Sequence, residues 1–318
     1  MGKLRKLFEK AGGMDTVAQY ARSHVLLFTL FQILSNGFSK KSLEIVRLAA
    51  NNKRLGKLRK KYRKTISAFL TENPTENLGP REHSNKVWVC WLQGIEQAPA
   101  LVQTCYRSLQ QHLTDRQIIL LTEENYRDYV TFPAHVQEKI DSGIITRTHM
   151  SDLLRLELLC NYGGTWIDAT VLCTETPPAY MLDSELFLFQ NLKPGLDGDA
   201  LAISSWFMTG CTNHPILLLT RHLLYAYWKN HTKMLDYFLI HDFFQLAIET
   251  YPQLWEQVIP FSNATCHILL LRLFENYDET LLSAVTAQTP IHKLSYKFEA
   301  SQTQLPNTYY QQLFGSDK

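Results

Sequence analysis

A chain of 318 residues with 45% hydrophobic content can bury one large core or two modest ones. Its formal charge of +2 is divided unevenly: residues 1–66 hold 16 Lys and Arg against Glu9, Asp15 and Glu44, a net +13, which leaves −11 on the remainder. Cys90, Cys105, Cys160, Cys173, Cys211 and Cys266 stand singly, with no C-x-x-C pair, so a disulfide framework is excluded and they read as reduced core residues. At the N-terminus no continuous apolar region and no small-residue cleavage pattern marks a signal peptide. The apolar run Val25–Leu34 has about half the length a bilayer crossing requires. A cytoplasmic protein is expected. Thr16–Leu34 and Ser42–Leu70 carry helical apolar spacing. The second is strongly cationic from Lys53 to Lys64, which reads either as a solvated helix face or as a contact for an anionic membrane surface. Val25–Leu34 would then supply the second anchoring signal. Nucleic acid is a weaker partner, because only Tyr62 interleaves the basic run and no base-reading module follows.

Thr71–Lys86, with two prolines and a glycine, reads as a linker, and divides a basic helical region (1–80) from a body (81–318). The body opens with "KVWVCWLQG", a buried strand whose C-terminal end runs into Gln93-Gly94. A helical segment, Ala100–Leu113, and a second apolar strand, Gln117–Leu121, follow. Strand, helix and strand at this spacing predict a mostly parallel α/β sheet flanked by helices, in which ligands gather beyond the carboxyl ends of the strands. Ser142–Thr165 reads as a helix stopped by Asn161–Gly164, and a short strand then runs into Asp168. Asp152 and Arg155 share a helix face and read alone as a simple ion pair. A carboxylate buried unpaired in a strand would cost several kcal/mol, so Asp168 is expected at the ligand rim. Ser204–Pro215 passes from an apolar run into a polar turn that shapes a pocket or simply joins strand to helix. Tyr225–Phe244 is an aromatic helical region in which His241-Asp242 is a candidate for orienting an acceptor.

"SDLLRLELLCNYGGTWIDATV" resembles the signature of the bacterial capsular polysaccharide synthesis family, which is akin to glycosyltransferase family 32 and more distantly to the clostridial glucosylating toxins. "VWVCWLQGIEQAPALVQTCYRSL" resembles that family's opening strand and helix, and "IHKLSYK" its closing element. The resemblance spans about residues 86–297 and rests on the combined S-D-x-x-R and G-G-x-W-x-D pattern. It implies a GT-A, Rossmann-like fold and a hexosyltransferase that moves sugar from a uridine diphosphate (UDP) sugar with retention of configuration, using a divalent cation. On this resemblance Trp91, Gln93 and Gly94 form the uridine wall and Asn125 holds the base. Ser151, Asp152 and Arg155 meet the donor's hydroxyls, Trp166 lines the sugar pocket, and Asp168 is the first acid of a D-x-D element.

The second acid of that element is replaced by Thr170, which weakens the expected metal site. Asp168 and His292 are its candidate ligands, the imidazole favouring Mn²⁺ over Mg²⁺, while Lys293 and Lys297 are expected to clamp the diphosphate. Asp242 joins Asp152, Arg155 and Asp168 as a candidate catalytic residue. The basic region suggests action on a lipid-linked oligosaccharide at the inner face of the plasma membrane. Homo-oligomer formation is left open. A catalytically weak scaffold in a polysaccharide assembly complex is the competing reading, since it accounts for the missing acid.

Overall fold

The computed structural model describes residues 13–192 and 200–315; residues 1–12 of the basic region lie outside that range. Three helices come first: α1 (Gly13–Arg22), α2 (Leu26–Asn36) and the 33-residue α3 (Lys40–Glu72). The helical stretch expected over Thr16–Leu34 is split at His24, whose φ of 56° turns the chain out of the right-handed helix. Ser39 caps α3, its hydroxyl accepting from the Ser42 amide at 3.0 Å.

Despite its charge, α3 contributes a face to the core of the body. Leu55, Leu58, Tyr62 and Phe69 are buried in one apolar cluster with Trp88, Phe243 and Phe244. Arg54 is buried as well. Its guanidinium forks onto Asp242, Nε to Oδ2 at 2.8 Å and Nη2 to Oδ1 at 3.1 Å, and Nη1 reaches Asp236 at 2.9 Å. Lys53, Lys57, Lys60, Lys61 and Lys64 remain exposed. The segment read as a linker is a 3-10 turn at Thr75–Asn77 followed by an extended run tied to the body. There Thr212 Oγ1 and Asn213 Nδ2 donate to the Pro80 carbonyl at 3.1 and 3.0 Å.

The body runs β1 (Lys86–Cys90), α4 (Ala100–His112), β2 (Gln117–Leu121), α5 (Ala134–Asp141), α6 (Arg147–Tyr162), β3 (Gly164–Ile167), β4 (Val171–Cys173), β5 (Leu186–Gln190), β6 (Ile203–Gly210), α7 (Pro215–Asn230), α8 (Leu239–Thr250) and β7 (Ile291–Lys293), with shorter helical turns between. The main sheet has the order β2-β1-β3-β6-β5. β1 pairs in parallel with β2 and β3, and β6 runs antiparallel to β3 and β5. Four of the five strands therefore share a direction. β4 and β7 form a separate antiparallel ribbon.

Alternation along β1 sends Trp88 into the cluster with α3, α6, α7 and α8, and Val87 and Val89 into a second cluster with α4. The sheet is thus covered on both faces, which explains why its strands read as continuous apolar runs. All six cysteines are free. Two positions decide how α6 turns into β3. Gly163 and Gly164 take φ of 65° and 95°, and a Cβ at Gly164 would lie 2.3 Å from the Lys86 carbonyl oxygen, so only glycine fits. The aromatic stretch Tyr225–Phe244 is two helices rather than one, α7 ending at Asn230 and α8 beginning at Leu239. No helix among the described residues is long and apolar enough to cross a membrane.

Candidate active site

A pocket of about 290 Å³ opens beyond the carboxyl ends of β1 and β3, lined by Cys90, Trp91, Ser151, Asp152, Arg155, Trp166, Asp168, Thr170, Ser205, Tyr237, His241, Lys293, Tyr296 and Lys297 among others. β3 delivers Trp166 and, one residue past its end, Asp168. α6 delivers Asp152 and Arg155 from its second and third turns, Thr170 immediately precedes β4, and β7 delivers Lys293.

Every carboxylate in the pocket is held. Asp168 accepts from the Trp166 indole at 2.9 Å and from Lys293 Nζ at 3.0 Å, with Arg155 Nη2 at 3.7 Å. Burial works to raise its pKa, but Lys293, then Arg155, and the indole outweigh that and hold it below the usual carboxylate range. Asp152 lies 3.1 Å from Arg155 Nη2 and 3.2 Å from His149 Nδ1. The Trp228 indole, a donor only, bonds His149 Nε2 at 3.0 Å. That fixes the proton on Nδ1, where it points at Asp152. Arg155 also donates to the Ser205 carbonyl and lies 4.9 Å over the Trp166 ring. Its plane is set from three sides. Lys293 Nζ additionally donates to Thr170 Oγ1 at 2.5 Å.

Several expected residues fall elsewhere. Asp242 does not reach the pocket: it is wholly buried against Arg54. Its neighbour His241 lines the pocket instead, because adjacent helical residues face about 100° apart. Nδ1 of His241 is buried without a partner, and burial drives its pKa down to about 4, so the ring is neutral. His292 is likewise displaced. Strand alternation turns it away from Lys293, its Nε2 lies 3.3 Å from Thr174 Oγ1, and it is fully buried; it cannot share a metal with Asp168. Asn125 braces its own turn, accepting from the Thr122 amide at 2.8 Å and donating to the Leu120 carbonyl at 2.9 Å. Gln93 is exposed, and neither it nor Gly94, whose φ of 83° serves the turn after β1, lines the pocket. Trp91, Ser151, Asp152, Arg155, Trp166, Asp168, Lys293 and Lys297 do converge there.

The residues present do not fit a protein-held divalent ion. Among the described residues no group of three or more His, Cys, Asp or Glu side chains could hold a metal, and the ammonium of Lys293 occupies the approach to Asp168.

Cys90, Tyr237 and Tyr296 were not singled out as site residues by the sequence, whereas Ser205 lies in the Ser204–Pro215 segment, for which a pocket-shaping role was one of two readings. His149 had one, since it stands three residues before Asp152 on the same helix. Tyr296 meets Trp91 edge to face at 5.2 Å, and Nε1 of Trp91 has no partner. The Cys90 thiol is pushed up to about 12, chiefly by burial, which leaves it protonated and a poor nucleophile.

The family profile described as "Capsular polysaccharide synthesis protein" matches residues 35–313. No curated protein matches the chain. Among solved structures, the chain is similar to one titled "PaToxG Glycosyltransferase", at 13% identity and a TM-score of 0.38, over 85% of this chain and 97% of that one.

Proposed function

Because the chain belongs to the capsular polysaccharide synthesis protein family, as the match over residues 35–313 shows, we propose that it is a retaining glycosyltransferase. The donor is a UDP-sugar and the acceptor a lipid-linked glycan at the inner face of the plasma membrane. What carries the proposal is the convergence of Asp152, Arg155, Trp166, Asp168 and Lys293 on one pocket at the strand ends. A sugar there meets a flat indole, a carboxylate and a forked donor, the set that recognises hydroxyl-rich rings.

In the reaction the acceptor hydroxyl oxygen bonds to the anomeric carbon as the bond from that carbon to the diphosphate oxygen breaks. The electron pair leaves on the diphosphate, and the hydroxyl proton passes to the departing phosphate oxygen on the same face. Opposite unit charges about 4 Å apart attract by about 4 kcal/mol at an effective dielectric near 20. Lys293, Lys297 and Arg155 are the pocket's cations, and in this proposal they take up the leaving charge. Neither pocket carboxylate is free to attack the sugar, since cations and donors hold both; this favours front-face displacement over a covalent intermediate.

The test is UDP release from a panel of UDP-sugars, together with thermal shifts on donor binding. One donor should stabilise the protein and be slowly hydrolysed. If no sugar nucleotide is bound or turned over, the scaffold reading takes its place.

A further inference from the structure

The apolar face of α2 has no partner among the described residues. Leu27, Leu30, Phe31 and Leu34 are 83%, 47%, 65% and 77% exposed. Their spacing of three, four and seven residues puts them on one stripe, and Phe38 continues it. The helix has no charged residue, yet it lies on α3, the most cationic element of the chain, with Lys53 5.5 Å over the Phe28 ring. Soluble surfaces seldom carry such a stripe without a use for it.

A second pocket, of about 510 Å³, begins where α2 begins. Ser23 and His24 form its edge, and its charged walls are Arg22, Arg54, Lys57, Lys61 and Lys233, with no carboxylate among the lining residues. Arg54 is committed to Asp236 and Asp242, but Lys57, Lys61 and Lys233 are exposed. Lys57 bonds the His24 carbonyl and Lys61 the His231 ring, but no carboxylate of the lining neutralises them, and a cluster of ammonium charges calls for an anion. The same segment serves both pockets: Lys233 and Leu235 line this one, Tyr237 and His241 line the sugar site.

We propose that α2 and this basic pocket seat the protein on an anionic phospholipid bilayer, the α2 stripe lying in the interface and the pocket taking a lipid phosphate. Eleven residues are too few to span a bilayer, but an apolar stripe beside lysines suits a helix lying in the membrane plane. Two signals, one apolar and one electrostatic, are what reversible anchoring needs. A phosphate held here lies one short segment from the sugar site, which places a lipid-linked acceptor beside the donor. This deepens the acceptor reading given above, while the surface itself stands apart from the sugar chemistry.

The experiment is co-sedimentation of the full chain with phosphatidylcholine vesicles, with and without phosphatidylglycerol. The protein should sediment only with the anionic vesicles, and less so at high salt. Leu27→Glu with Phe31→Glu should abolish binding at unchanged melting temperature, since both side chains are already exposed. Lys57→Ala with Lys61→Ala should weaken it about 25-fold, from about 1 kcal/mol per cation near the surface at 1.4 kcal/mol per tenfold. Wild-type protein that ignores anionic vesicles, or either double variant binding like wild type, overturns the proposal. So does a concentration-dependent dimer that the Glu variants disperse when no vesicle binding is seen. Donor hydrolysis without vesicles reports on the transferase reading alone, so the two failures are distinguishable.

Discussion

Asp168, the residue after β3, has a cation on one oxygen and an indole on the other, and its neighbour two residues on is a threonine. Thr170 and Lys293 meet at 2.5 Å, so an ammonium stands where a second acid would have drawn a metal. We propose that this positive group, built into the fold, stabilises the leaving charge that a bound cation would otherwise meet. Chelation should therefore leave transfer within about twofold, whereas removing one preorganised charge partner of a transition state costs about 100- to 1,000-fold. Lys293→Ala should show that loss in kcat, measured as UDP release. Turnover that vanishes in chelator and returns with Mn²⁺ would contradict it. Asp168→Asn tests the other partner. The Trp166 hydrogen bond survives on the amide oxygen while the charge that orients Arg155 and Lys293 is gone, so transfer should fall about 100-fold with an unchanged melting curve. Wild-type rates in that variant would remove Asp168 from the site.

Among the elements, α3 is the one whose role its composition disguised. Twelve residues from Lys53 to Lys64 hold eight cations, which the sequence leaves open between a solvated face and a contact for an anionic membrane; yet Arg54, Leu55, Leu58 and Tyr62 are buried. Arg54 fastens α3 to α8 through Asp242 and to the preceding loop through Asp236. Truncating one partner of a buried pair strands the other charge, at a cost of about 3–5 kcal/mol. Arg54→Ala should lower unfolding free energy by that amount in urea titration. Arg59→Ala, five residues on and paired with Glu249 at a partly exposed site, should cost no more than about 1 kcal/mol. Equal losses from the two would show that burial does not separate them. Asp242 was misassigned for the same reason. Its partner lies 188 positions earlier, and no local pattern reports a contact at that separation. By contrast β1, β2, α6 and β3 were legible because each signals locally, by an apolar run, helical spacing or the Gly163-Gly164 stop. Asp152, Arg155, Trp166 and Asp168 were legible with them, since they sit at the ends of those elements. Tyr237 and Tyr296 come from loops and carry no such signal, and Ser205 comes from β6, in a segment read either as shaping a pocket or as a plain strand-to-helix turn.

Across the whole molecule, acid stability turns on histidines that the fold keeps neutral. His214 is 2% exposed and His292 fully buried, and Nδ1 of each lacks a partner. Burial drives their pKa values down to about 3 and about 4, as it does that of His241, to about 4, from an ordinary value near 6.5. Between about pH 6.5 and 4 the unfolded chain therefore binds protons that the folded chain refuses. Stability rises with pH wherever the unfolded state binds more protons. The contribution is complete above pH 6.5, drains away as pH falls through the window, and is exhausted below the folded values. Each histidine contributes a slope on the order of 1 kcal/mol per pH unit. Asp168 and Asp183, with lowered values, act only below their ordinary value near 3.8, whereas Asp242, pushed up to about 7 by burial, holds a proton in the fold and offsets about one histidine across the window. The urea midpoint should fall steadily from pH 7 to pH 4.5. His292→Leu, which puts an apolar side chain of comparable size among the residues that bury His292, should flatten that fall by about one histidine's share, on the order of 1 kcal/mol per pH unit. An unchanged slope in the variant would mean that His292 takes up its proton in the native state, and that the interior behind β7 admits water.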